Sequence, residues 1–221
     1  MKSRITLVNA AVSGAILTVA FLGLLPQTAQ ATILHTDRAS WETGVGSFTD
    51  VDLASQVGDF DTLSAGSPLT LPSGTLLSFD LDLQGRQVPG SWATWSGGQT
   101  PRVLFTQGEF SVGGSFGGSV AAFGFELEPN PFSTFSMTLT LGDGTALSQL
   151  VSGSAGAKFF GWTDSAVTSF SVACDECDFA MGRLVEGGGS VPTVPEPSSL
   201  LLLASGLVAW GGWQWKRGNS K

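Results

Sequence analysis

Tyrosine is absent from the 221 residues, histidine occurs once and cysteine twice. One histidine and two cysteines exclude a four-ligand zinc site built from those residue types alone. Positive charge is also scarce, with 10 Lys and Arg against 18 Asp and Glu and a net charge of −8. A duplex-binding protein needs a set of phosphate-neutralising cations, so nucleic acid is a poor candidate partner. Charged residues make up only 13% of the chain, about half of ordinary usage. Long apolar runs are missing from the middle of the chain, and no stretch there carries a sustained 3.6-residue stripe. A helical bundle or a βαβ fold is therefore not expected.

What is present is glycine, 30 residues of it, and 15 phenylalanines. The apolar residues alternate with small or polar ones in short runs. Phe79, Leu81 and Leu83 alternate with Asp80 and Asp82, and Val103 and Phe105 form a brief run after Pro101. Ala121, Phe123, Phe125 and Leu127 alternate with Ala122, Gly124, Glu126 and Glu128. Phe135, Met137, Leu139 and Leu141 form a fourth run, and Gly142-Asp143-Gly144 turns the chain so that Ala146 to Val151 returns as a hairpin partner. Shorter runs lie at Phe160 and Trp162, Phe170 and Val172, and Phe179 and Met181. A period of two is the strand signal. Many short strands at this spacing predict an all-β domain, an antiparallel β-sandwich or jelly-roll, over residues 32–190. Asp37 is placed to cap a short helix that begins before Trp41.

The two ends have a different composition. Residues 1–31 read as a signal peptide: Lys2 and Arg4 start it, an apolar stretch follows, and Ala29-Gln30-Ala31 gives the small-x-small cleavage pattern. Residues 191–221 carry Pro195-Glu196-Pro197, then the uncharged run 198–215, then Lys216-Arg217. At about 1.5 Å per residue the run would extend roughly 27 Å as a helix, enough for a transmembrane span. Tripeptide, apolar helix and basic cluster in that order resemble the PEP-CTERM sorting signal of exported Gram-negative proteins. The resemblance implies recognition by exosortase, an integral-membrane protease that cuts near Pro195, Glu196 and Pro197. It further implies delivery to the cell surface or to an extracellular matrix rich in exopolysaccharide. Stretches such as Ala122 to Pro131 and Phe179 to Gly182 also resemble the β-sandwiches of such proteins. That likeness brings no catalytic residues.

Candidate sites follow from residue types. Cys174 and Cys177 are expected to form a structural disulfide outside the inner membrane. A redox role would need a thiolate-stabilising cation, and Asp175 and Glu176 between them oppose one. Glu126 and Glu128 would share one face of a strand about 6.6 Å apart, near the separation of a glycosidase pair. The simpler expectation for both is a solvent-facing surface. Trp92 and Trp95, with Arg102 nearby, form a candidate carbohydrate-binding patch if their rings are open for stacking. Asp59, Asp61 and Asp178 are candidates for a structural calcium, which takes several oxygen ligands; Asp143, Asp175 and Glu176 belong to the same acidic set. His35 lies near the expected mature N-terminus, a poor foundation for a catalytic triad. The expected protein is a non-enzymatic surface or matrix component. A carbohydrate-binding module is the first alternative, and a glycoside hydrolase using Glu126 and Glu128 the second.

Overall fold

The computed structural model describes residues 31–188. Residues 1–30 of the expected signal peptide, Ala29 among them, and the run 198–215 lie outside the described residues. Among the described residues no helix is long and apolar enough to cross a membrane.

Among the described residues fourteen strands follow one another: β1 (Ile33–His35), β2 (Phe48–Asp50), β3 (Thr62–Leu63), β4 (Pro68–Thr70), β5 (Leu76–Phe79), β6 (Leu83–Gln87), β7 (Arg102–Phe105), β8 (Ser111–Val120), β9 (Phe123–Pro129), β10 (Thr134–Leu141), β11 (Ala146–Ser152), β12 (Lys158–Thr163), β13 (Val167–Cys174) and β14 (Phe179–Gly187). An α-helix, α1 (Arg38–Val45), is inserted after β1. Asp37 caps it, accepting a hydrogen bond from the Ser40 amide at 2.9 Å.

The strands form two antiparallel sheets. The first runs β1-β12-β9-β14-β7-β6-β3, with β2 also paired to β14. The second runs β11-β10-β13-β8-β5-β4. The Gly142 turn makes the expected hairpin, with Met137 opposite Gln149 and Leu139 opposite Leu147. Alternation then divides each strand between two environments. Phe123, Phe125 and Leu127 of β9 point inward, and so do Met137 and Leu139 of β10 and Phe170 and Val172 of β13. Phe125 of the first sheet meets Phe170 of the second with ring centroids 5.4 Å apart. Phe116, Phe123 and Trp162 complete this aromatic centre.

Two strand assignments differ from the sequence expectation. Phe79 and Leu83 belong to different strands in different sheets, not to one alternating run. The chain crosses between sheets there. Asp80 accepts from the Gly113 amide, and Asp82 from the Ala65 amide, fixing the crossing. The ten-residue strand β8 carries too little alternation to be read from its sequence. Four of its residues are glycine, and a Cβ on Gly114 would lie 2.4 Å from the Phe170 ring. Glycine there makes room for the core aromatic and erases the apolar signal.

Candidate functional site

The outer face of the first sheet does not lie open. The long connection from β6 to β7, residues 88–101, folds back over it as a strap. Gln87 ties the base of the strap, its side-chain amide donating to the Val88 and Thr100 carbonyls at 2.8 and 2.9 Å. The Val88 amide closes the loop onto the Pro101 carbonyl. Val88, Trp92 and Trp95 then pack with Val103, Ala157 and Ala180 in a second apolar cluster outside the main core.

Trp92 and Trp95 are therefore buried, 7% and 2% exposed, and do not present open rings for stacking. Burial of the two rings removes apolar area from water while each indole N–H keeps a partner. Trp92 lies tilted on Phe105, centroids 5.3 Å apart. Trp95 sits over Gly182, where a Cβ would come within 3.1 Å of the indole.

Glu126 and Glu128 are also not solvent-facing; they are 5% and 0% exposed. Their side of β9 points away from the main core, as alternation requires, but the strap covers it. Trp95 Nε1 donates to Glu126 Oε2 at 2.7 Å, and Arg183 Nη1 donates to Glu126 Oε1 at 2.5 Å. Ser96 Oγ adds a 3.3 Å bond to the same carboxylate. Trp92 Nε1 and Thr94 Oγ1 donate to the two oxygens of Glu128 at 3.1 and 3.0 Å. Burial pushes the Glu128 carboxyl above its ordinary value, against the downward pull of the Trp92 and Thr94 donors. Sequence spacing found the carboxylate pair and the tryptophan pair separately. That each partners the other depends on a strap folded over more than thirty residues of separation.

The remaining candidates fall in separate places. Arg102 forms an ion pair with Asp59, Nη1 to Oδ1 3.1 Å, and Ser91 also donates to that aspartate. Asp61 packs against Gly58, and Asp178 accepts from Asn130 Nδ2 at 3.2 Å. Among the described residues no group of three or more His, Cys, Asp and Glu side chains is arranged to hold a metal ion. Asp59, Asp61 and Asp178 are thus not brought together as calcium ligands. Cys174 and Cys177 form the disulfide, with their Cα atoms 5.4 Å apart. His35 is held in β1, opposite Gly161, with Nε2 3.0 Å from Thr163 Oγ1. Burial holds its pKa below the ordinary value, opposed by Asp164.

One buried carboxylate had no signal in sequence. Glu186 of β14 accepts from both the amide and the hydroxyl of Ser73, at 2.8 and 2.7 Å. It ties the turn between β4 and β5 in the second sheet to a strand of the first.

A family model for the PEP-CTERM protein-sorting motif matches residues 193–217, which include Pro195, Glu196, Pro197, Lys216 and Arg217. No curated protein matches the sequence. Among solved structures, a family two carbohydrate esterase from Cellvibrio japonicus aligns at 7% identity and a TM-score of 0.26. That alignment covers 75% of this chain, which spans only 38% of the esterase. A mutant family 29 carbohydrate-binding module complexed with cellulohexaose aligns at 10% identity and a TM-score of 0.22, covering 77% of this chain and 100% of the module. Neither alignment is close enough to bear on function.

Proposed function

Because this chain carries a PEP-CTERM protein-sorting motif, and is thereby an exported protein sorted through exosortase, we propose that its β-sandwich is a non-enzymatic component of the cell surface or extracellular matrix, associated with exopolysaccharide. The observation that carries this reading is the motif at 193–217. The domain supports it in two ways. First, the carboxylates with glycosidase-like spacing are committed to structural partners: Glu126 to Trp95 and Arg183, Glu128 to Trp92 and Thr94. A general acid and its partner would need to face a substrate cleft. Second, acidic excess suits a soluble domain that must not adhere indiscriminately to anionic surfaces.

The reading is tested by comparing a strain that lacks the protein with one that produces it. Loss of matrix-retained polysaccharide without the protein is the expected result. A parallel assay incubates the full-length chain with the isolated polysaccharide and measures released reducing ends. Release by the wild type that disappears in Glu126→Gln would overturn the non-enzymatic assignment.

A further inference from the structure

Among the described residues five strands have a neighbour on one side only: β1, β2, β3, β4 and β11. Four of them are short. β1, β2 and β4 have three residues each and β3 has two, and β4 begins with Pro68. Short edges and edge prolines keep one sheet from pairing with another. β11 is the exception. It closes the second sheet over seven residues, Ala146–Ser152, and contains no charge, proline or glycine. Its Leu150 is 64% exposed.

The ladder with β10 fixes which groups of this edge are free. The Leu141 amide donates to the Thr145 carbonyl at 2.8 Å, and Leu139 and Met137 stand opposite Leu147 and Gln149. Bonded and non-bonded pairs alternate along an antiparallel ladder, so Leu147, Gln149 and Val151 bond to β10. Ala146, Ser148 and Leu150 turn their N–H and C=O groups the other way. The far side of β10 agrees: the Ser136 carbonyl accepts from the Asp175 amide at 2.9 Å, at the end of β13. At Ser152 the edge is already occupied by a bridge to Gly156. The free edge therefore runs from Ala146 to Leu150. Ala146, Ser148 and Leu150 are also exposed, and Ser148 Oγ lies 2.7 Å from Thr138 Oγ1 on the outer face.

This edge complements itself. About a two-fold axis at Ser148, an antiparallel copy sets Ser148 opposite its counterpart and Leu150 opposite Ala146 in both directions. A large side chain then meets a small one, and the Ser148 hydroxyls extend the Thr138 contact across the axis. Charge favours the same arrangement. Exposed Asp143 precedes β11, and exposed Lys158 follows it after the Gly156 turn. Antiparallel pairing brings the acidic turn of one copy to the end of the strand that leads to Lys158 in the other. We propose that β11 is a homodimer interface: it pairs with β11 of a second copy and joins two six-stranded sheets into one continuous sheet. The pairing does not depend on the polysaccharide-associated reading above.

The test uses the full-length chain in detergent. Ser148→Cys and Ser171→Cys are oxidised in parallel, and Ser148→Lys is compared with wild type by sedimentation velocity. Both native cysteines are held in their disulfide, so the introduced thiol is the free one. Residues facing each other in a bonded antiparallel pair have Cα atoms about 5.5 Å apart, within reach of a disulfide. Ser171 is exposed on the same sheet but on β13, two strands in from the edge. Thermal unfolding confirms that each variant folds. The expected result is a wild-type dimer, a covalent dimer from Ser148→Cys and none from Ser171→Cys. Dimerisation about tenfold weaker is expected of Ser148→Lys, which sets like charges opposite each other. A wild-type chain that stays monomeric would overturn the proposal. Cross-linking through Ser171→Cys as readily as through Ser148→Cys would place the contact on the sheet face, and a dimer undiminished in Ser148→Lys would place it elsewhere in the chain; either would overturn the edge pairing.

Discussion

Trp95 and Glu126 are joined by a 2.7 Å hydrogen bond from the indole Nε1 to the carboxylate, beneath a loop that covers the outer face of a β-sheet. Both residues are buried, so the bond cannot be exchanged for one to water without opening the strap. Trp95→Phe keeps most of the apolar packing and removes this donor. The expected cost is about 1–3 kcal/mol, the range for leaving a buried acceptor short of a partner. Urea unfolding of the full-length chain measures it. An unchanged midpoint would mean that Arg183 and Ser96 satisfy Glu126 unaided.

Glu128 predicts a pH dependence. Its carboxyl is raised above the ordinary glutamate value, chiefly by burial. Below the ordinary value the carboxyl is protonated in both folded and unfolded chains and contributes no penalty. As pH rises past that value the unfolded chain ionises first, so stability falls until the raised native value is passed, then levels. Glu128→Gln removes the titration. The stability of wild type relative to this variant is therefore expected to decline as pH rises from strongly acidic towards neutral. Unfolding midpoints of both proteins across that range give the difference, and a constant difference would refute the assignment.

Gly153 predicts a steric effect. A Cβ at this position would stand 2.0 Å from the Pro131 carbonyl oxygen and 2.6 Å from that of Pro129. Backbone on both sides cannot rotate away as a side chain can. Gly153→Ala is expected to destabilise the domain by about 1–3 kcal/mol, as for other overpacked sites. The exposed Gly118, where an added Cβ meets nothing within 4 Å, serves as the control. Thermal unfolding of Gly153→Ala and Gly118→Ala should separate them.

The disulfide predicts a modest contribution. Cys174 and Cys177 are three positions apart, so the bond closes a very short loop. Chain-entropy arguments assign such a loop about 2 kcal/mol. Reduction under native conditions is expected to lower the unfolding midpoint without unfolding the domain. Complete loss of structure on reduction would show that the bond fixes more than the link between β13 and β14.

Strands with an apolar residue at every second position were legible in the sequence: β9, β10, β12, β13 and β14 stand where their alternation places them, and β11 where the Gly142 turn returns it. The turn at Gly142 and the Asp37 cap were legible for the same reason: each is a local interaction encoded within a few residues. β8 was not, because glycine at Gly114 replaces a side chain that the Phe170 ring displaces. The site was half legible. Spacing marked Glu126 and Glu128, and composition marked Trp92 and Trp95, but alternation alone assigned the glutamates to solvent. Only tertiary folding of the strap reveals that each tryptophan covers a carboxylate. The bulge at Arg183, where the register of β14 against β9 shifts, carries no sequence signal at all, since any strand residue could have occupied an unshifted register there.

Delivery to the surface or matrix through the sorting motif is tested by fractionation. Cells producing the wild-type chain, or a variant with Pro195→Ala, Glu196→Ala and Pro197→Ala, would be separated into membrane, surface and matrix fractions and probed for the domain. Wild type is expected in the surface and matrix fractions, with the triple variant retained with the membrane. The same distribution for both chains would contradict it.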